Sequence, residues 1–259
     1  MPFDFDGDKY RQASTHQKNW GNKLIAELAL RGDESILDLG CGDGVLTRQL
    51  AELVPAGRVL GLDGSPGMIA TALQQVRDNL SFVCMDINDL GFADEFDLIF
   101  SNATLHWVRD HVSLLANCFK ALKRQGRLHW SFGGCGNSPG LVEALETSIA
   151  SPEYNDYFVG FQWPWFMYNV EEYTALVKRA GYSHYKITLV NADSYYPNSD
   201  ELIKWIDQPC LVPFLTFLKE ENTKNLFRTA VISRMLERAG CGDGRYLEKF
   251  RRLNVRANK

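Results

Sequence analysis

Residues 35 to 44 read Ser35-Ile36-Leu37-Asp38-Leu39-Gly40-Cys41-Gly42-Asp43-Gly44, an acid and three alternating glycines between a strand-like run and a helix-like run. Such a loop suits a nucleotide cofactor, because backbone without a Cβ at Gly40 and Gly42 can take positive φ and let a ligand approach closely. Its D-x-G-x-G-x-G spacing differs from the dinucleotide fingerprint, which has two residues between its second and third glycines. Asp38 would repel a pyrophosphate but suits a cofactor whose amino-acid end carries an ammonium. Both features favour S-adenosylmethionine over NAD. A second acid, Asp63, closes Arg58-Val59-Leu60-Gly61-Leu62-Asp63 about 20 residues after the loop, where doubly wound folds hold ribose hydroxyls. An ordinary strand-to-helix turn, with Asp63 as a helix cap, is the plainer alternative.

The elements that must position these groups follow from periodicity. Apolar residues at Trp20, Leu24, Ile25 and Leu28 have helical spacing, and Ile36 to Leu39 then reads as a strand. Helices over Leu46 to Leu53 and Pro66 to Arg77 alternate with strands ending at Asp63 and covering Leu80 to Cys84. Phe96 to Phe100, Val112 to Leu122 and Gly126 to Phe132 continue as strand, helix and strand. This alternation predicts an α/β fold, a doubly wound, mostly parallel seven-stranded sheet with helices on both faces. The turn Gly133-Gly134-Cys135-Gly136-Asn137-Ser138-Pro139 then releases the chain. Tyr154, Tyr157, Phe158, Phe161, Trp163 and Trp165 follow, too aromatic for a solvated connection. A helix over Val170 to Arg179, a strand over Tyr185 to Val190, helix formers from Asp200 to Ala239 and a last strand over Tyr246 to Ala257 complete the pattern. The expected organisation is one domain over 1–259, with a cofactor-binding half at 1–133, an aromatic lid at 134–182 and a helical cap inserted at 191–245.

At 259 residues and 45% hydrophobic content, the chain can bury one large core. A net charge of −4 without long like-charge runs gives no electrostatic footprint for nucleic acid. No apolar run reaches a membrane span, and the start, Met1-Pro2-Phe3-Asp4-Phe5-Asp6, lacks the regions of a signal peptide. A cytoplasmic monomer or weak dimer is expected, with no nucleic-acid or membrane partner. The six cysteines form no C-x-x-C pair and have no histidine at metal spacing, so they read as reduced packing residues and no metal is assigned.

Asp38 to Gly44, Asp63, Asp86 and Phe96-Asp97-Leu98-Ile99-Phe100-Ser101-Asn102-Ala103-Thr104-Leu105-His106-Trp107 resemble the class I S-adenosylmethionine-dependent methyltransferases. Within them, Ser101 to Trp107 with Asp110-His111, and the late stretches Ile203 to Ile206, Pro213 to Leu215 and Glu220 to Asn222, are similar to the trans-aconitate methyltransferase group. Tyr10-Arg11-Gln12-Ala13-Ser14-Thr15-His16-Gln17 resembles the malonyl-acyl-carrier-protein and juvenile hormone acid O-methyltransferases instead, with Gln17 where trans-aconitate enzymes tend to have Arg. The resemblance implies a Rossmann-like methyltransferase that converts a small-molecule carboxylic acid to its methyl ester and S-adenosylmethionine to S-adenosyl-L-homocysteine. It also implies roles. Asp38, Gly40, Gly42 and Gly44 would face the methionine end, Asp63 the ribose, and Asp86 and Ile87 the adenine, with Tyr10, Cys41, Gly64 and Met68 also binding the cofactor. Asn102 would meet the cofactor's amino-acid backbone. Tyr10, Gln17, His106 and Trp107 would surround the transferable methyl group and the acceptor.

A carboxylate is already ionised at neutral pH, so its methylation needs orientation and exclusion of water more than a strong base. Gln17 and His106 could donate hydrogen bonds to it, and Trp107 with the aromatic lid could supply a dry wall that also favours a sulfonium. A tricarboxylate would need several cations, for which Lys204 and Arg228 are scattered candidates. A fatty-acid-like or aromatic acid is therefore a rival acceptor. An N- or C-methyltransferase, an NAD oxidoreductase and a cofactor-binding protein without activity are the other readings.

Overall fold

The computed structural model describes residues 4–259; Met1, Pro2 and Phe3, the first part of the amino-terminal stretch examined for a signal peptide, lie outside the described residues. Two helices, α1 (Gly7–Ala13) and α2 (Thr15–Ala26), precede the first strand, β1 (Ser35–Leu39). Then follow α3 (Val45–Leu53), β2 (Arg58–Asp63), α4 (Pro66–Ala72), β3 (Leu80–Cys84), β4 (Phe96–Asn102), α5 (His111–Ala121) and β5 (Leu122–Gly133). β1 is buried along its whole length, as its unbroken apolar run requires in a sheet covered on both faces. The helix expected over Pro66 to Arg77 is shorter: α4 ends at Ala72 and a single tight turn spans Leu73–Gln75.

After β5 come α6 (Pro139–Ile149), an irregular aromatic stretch, α7 (Val170–Arg179) and β6 (Ser183–Asn191). The cap follows as β7 (Ser194–Tyr196), α8 (Ser199–Trp205), α9 (Val212–Leu215), α10 (Glu221–Ala239) and β8 (Tyr246–Glu248), before β9 (Arg251–Asn258). The strand expected over Tyr246 to Ala257 is thus two strands. β8 pairs with β7 in a separate ribbon, while β9 enters the main sheet.

The main sheet has seven strands in the order β3-β2-β1-β4-β5-β9-β6, parallel from β3 to β5 and antiparallel at β9. The expected mixed, doubly wound α/β architecture is therefore borne out. β9 inserts between β5 and β6, pairing Gly133 with Arg252 at the end where the parallel strands finish. Two apolar cores lie on the sheet, one holding Leu50 and Phe100 and one holding Leu114 and Trp130. A third, centred on Phe214, Phe227 and Trp205, joins α6, the aromatic stretch and the cap. Phe161, Trp163 and Trp165 all contact Phe214, so much of the lid's aromatic content closes this third core.

Candidate functional site

The turns that leave β1, β2 and β4 converge with α1, α2 and the cap around a cavity of about 730 Å³, within the range that holds small ligands and cofactors. The β1 turn is held open by geometry. Gly40, Gly42 and Gly44 all have positive φ, at 72°, 54° and 76°. A Cβ on Gly40 would lie 2.1 Å from the Thr104 methyl, whose hydroxyl donates to the Gly40 carbonyl. At Gly42 only the Tyr10 ring comes near, 3.9 Å away, so this is where a ligand can approach the backbone. Gly44 has a different task. It meets the Phe82 ring and lies off the cavity wall, where it lets α3 start against β3.

Asp38 also differs from its expected place. Its carboxylate lies behind the wall and accepts from Thr47 Oγ1 at 2.7 Å. Burial, reinforced by the nearby Asp63, raises it to about 7 against the pull of the Thr47 bond. Asp63 does line the cavity, and its two oxygens accept from the amides of Gly42 (3.0 Å) and Ser65 (2.9 Å). Burial raises its carboxyl group, while those amides pull it down. Each oxygen keeps a second lone pair for a hydroxyl donor. Gly64, Met68, Asp86 and Ile87 continue the wall from Asp63, and Asp86 Oδ1 accepts from Asn88.

Tyr10 and Gln17 reach the same cavity from α1 and α2, Cys41 from the glycine loop and Asn102 from the end of β4. Asn102 Nδ2 donates to the Gln17 carbonyl at 2.9 Å, locking α2 to the strand end. Gln17 Oε1 is buried with no partner among the described residues. Asp43, at the wall, is held by Lys18 at 3.0 Å. His106 and Trp107 sit on a single tight turn, Leu105–Trp107, between β4 and α5. His106 Nδ1 accepts from the Gly133 amide at 3.4 Å, which leaves the proton on Nε2. Burial, with Arg252 and His111 adding to it, lowers this imidazole to about 3, so it is neutral at physiological pH.

Two features were missed in the sequence. An i→i+5 turn at Ile206–Cys210, closed by the Leu211 amide on the Ile206 carbonyl, extends α8 around Pro209 and brings Pro209 and Cys210 to the wall. The other is Arg252, fully buried at the start of β9. It donates to Asn102 Oδ1 (2.9 Å), Ser131 O (2.6 Å) and Ser131 Oγ (3.2 Å), and lies over the Trp20 ring. Arg252 is on the opposite face of β9 from the apolar alternation Leu253, Val255 and Ala257, so no periodicity in the sequence marked it for burial. Lys204 and Arg228, by contrast, are bound to Glu201 and Asp207 away from the cavity.

The wall fits an S-adenosyl group. Gly42 leaves room beside the backbone, Asp63 offers lone pairs to a diol, and the unmatched Gln17 Oε1 calls for a donor such as an ammonium. Among the described residues no cluster of metal-binding side chains occurs, and all six cysteines are unpaired. No helix there is long and apolar enough to cross a membrane.

A family described as a methyltransferase domain matches residues 37–130, the stretch from β1 to β5 whose turns line one side of the cavity. An uncharacterized methyltransferase of Schizosaccharomyces pombe is 25% identical over 268 residues, covering 100% of both chains. The trans-aconitate 2-methyltransferase of Deinococcus radiodurans is 40% identical over 121 residues, 47% of this chain and 46% of its own. A malonyl-acyl-carrier-protein O-methyltransferase of Ilyobacter polytropus is 32% identical over 157 residues, 59% of this chain and 57% of its own. The matched segment thus spans about half the length of these two bacterial relatives. In fold, a phosphoethanolamine N-methyltransferase of Haemonchus contortus superposes with a TM-score of 0.62 at 18% identity, over 98% of this chain and 57% of that one. The glycine loop, the acid ending β2 and the strand order thus accompany a methyltransferase-domain match over residues 37–130, and in these features the chain is similar to the class I S-adenosylmethionine-dependent methyltransferases.

Proposed function

We propose that this protein methylates the carboxylate of a small-molecule acid, giving a methyl ester. The observation that carries the reading is a cavity wall on which no imidazole, phenol or thiol is poised to take a proton. His106 is neutral, lowered to about 3, and its Nδ1 is occupied by the Gly133 amide. Burial pushes the Tyr10 hydroxyl and the Cys41 and Cys210 thiols above their ordinary ranges, so they stay protonated. Asp63 and Asp86 are engaged by backbone amides, and Asp43 by Lys18. An ammonium, an alcohol or a carbon acid would need a base to become a nucleophile. A carboxylate would not.

When bound, S-adenosylmethionine supplies an electrophilic methyl group, which moves to a carboxylate oxygen as the carbon–sulfur bond breaks, the sulfur keeping the electron pair and no proton changing hands. Asp63 would hold the ribose, with Asp86, Ile87 and Met68 near the adenine, and the open face of Gly42 would admit the amino-acid end. Gln17 Oε1 accepts from the ammonium, a role that suits an unmatched acceptor better than the donation to a carboxylate expected from sequence. His106 offers its Nε2 proton to the acceptor. Trp107 and Trp165, in edge contact at 5.7 Å, exclude water from the reacting oxygen. The full-length S. pombe match and the two acid-methylating relatives, reported by name, are consistent with this chemistry.

The test is methyl transfer from methyl-labelled S-adenosylmethionine to a panel of acids and matched amines. Label released by mild base is expected, as an ester requires. Base-stable label would instead mean nitrogen or carbon as the acceptor, and no label in any compound would favour a binding protein without activity.

A further inference from the structure

The cavity wall contains three cations among the described residues, Lys18, Arg109 and Arg252, and they differ in what already neutralises them. Lys18 is spent on Asp43 at 3.0 Å and on the Arg11 carbonyl at 2.9 Å. Arg109 is bound to Gln162 and stacked on Phe166 in an exposed contact. Arg252 is fully buried and has no carboxylate within ion-pair distance among the described residues. Its three hydrogen bonds go to neutral oxygens of Asn102 and Ser131 through Nε and Nη2, and Nη1 makes none. Burial lowers it to about 9, so it remains charged at neutral pH. A buried guanidinium without an anion is costly, and a planar fork with one free arm matches a carboxylate.

The surroundings of Arg252 say which carboxylate. Its guanidinium lies 4.5 Å over the Trp20 ring. Trp20 stands edge-on to Phe250 at 4.8 Å, and Phe250 in turn to Trp205 of the cap at 5.3 Å. These three aromatics all line the cavity. The one unneutralised buried cation is therefore at the foot of an apolar wall that leads into the cap, and no second such cation follows it.

Resting on the reading of carboxylate methylation above, we propose that Arg252 anchors the acceptor's carboxylate and that the acceptor is a monocarboxylic acid with an apolar body, not a polyacid. The geometry assigns the charge to Arg252 and the body to the aromatic wall of the cap. A tricarboxylate would leave its remaining charges against tryptophan and phenylalanine rings.

Calorimetric titration of the protein saturated with S-adenosylhomocysteine tests this with decanoate, decan-1-ol and tricarballylate. Decanoate should bind at least 30-fold more tightly than either of the others. In Arg252→Gln that advantage should vanish while affinity for S-adenosylhomocysteine changes less than threefold, and Arg252→Lys should restore part of it. In the labelled-methyl assay decanoate should exceed trans-aconitate at least 100-fold in kcat/KM. Equal binding of decanoate and decan-1-ol by the unaltered protein would overturn the proposal whether or not the variants fold. So would a preference for trans-aconitate, or loss of S-adenosylhomocysteine affinity in Arg252→Gln, which would give the arginine to the cofactor's own carboxylate. If decanoate binds through Arg252 yet label enters only amines, the ester reading fails and the anchor stands.

Discussion

Asp38 shows how a residue singled out in the sequence can take a different place in the fold. Its place in the glycine motif is plain, but direction is not a property of spacing. In the fold its side chain turns away from the cavity to meet Thr47. Its carboxyl is raised to about 7 against an ordinary 3.8, so the folded state holds a proton that the unfolded chain has released. The stabilisation from that proton is complete below about pH 4 and is lost as pH rises through 7. Asp38→Asn keeps an acceptor for Thr47 and removes the titration. The melting temperature of the unaltered protein relative to Asp38→Asn is therefore expected to fall between pH 5 and pH 8; a difference that stays constant would show that Asp38 does not titrate there. Arg252 is the converse case. Nothing in its local sequence separates it from Arg251 and Arg256, which are exposed, and only the placement of β9 buries it.

At the scale of elements, the helices and strands around the glycine loop were legible because each has an amphipathic or continuous apolar pattern. The amino-terminal and cap elements were less so. α1 has only seven residues and is held by tertiary contacts: the Phe5 amide donates to Ser65 Oγ, Gly7 abuts Thr71 of α4, and Tyr10 closes over Gly42. An element so placed covers the cofactor side of the cavity while gaining little from its own length. Amide hydrogen exchange over residues 7–13 should accordingly slow at least tenfold when S-adenosylhomocysteine is added. Unchanged exchange would mean that α1 does not close on the cofactor. The i→i+5 turn at Ile206–Cys210 was hidden for a related reason. Pro209 signals a break in α8 from sequence, yet the chain continues around it, tied to α10 by the paired bonds of Arg228 to Asp207.

For the molecule as a whole, ligand linkage offers the broadest test. S-adenosylhomocysteine at 100 times its Kd should stabilise the fold by about 2.7 kcal/mol and raise the melting temperature by roughly 5–10 °C. NAD at the same concentration should leave it unchanged; a shift with NAD alone would return the loop to the dinucleotide class. The alternation of strands and helices, the glycine spacing and the acid ending β2 determined the fold class and the donor by themselves, because backbone conformation and period depend on near neighbours in the chain. The proposed acceptor side takes form only in three dimensions. It is assembled from α2, the turn after β4, the aromatic stretch, the extended turn of α8 and the first residues of β9, which are brought together from across the chain by a strand that inserts between β5 and β6. Burial, tautomer and the lack of a counter-ion are properties of that assembly, and no periodicity along the chain encodes them.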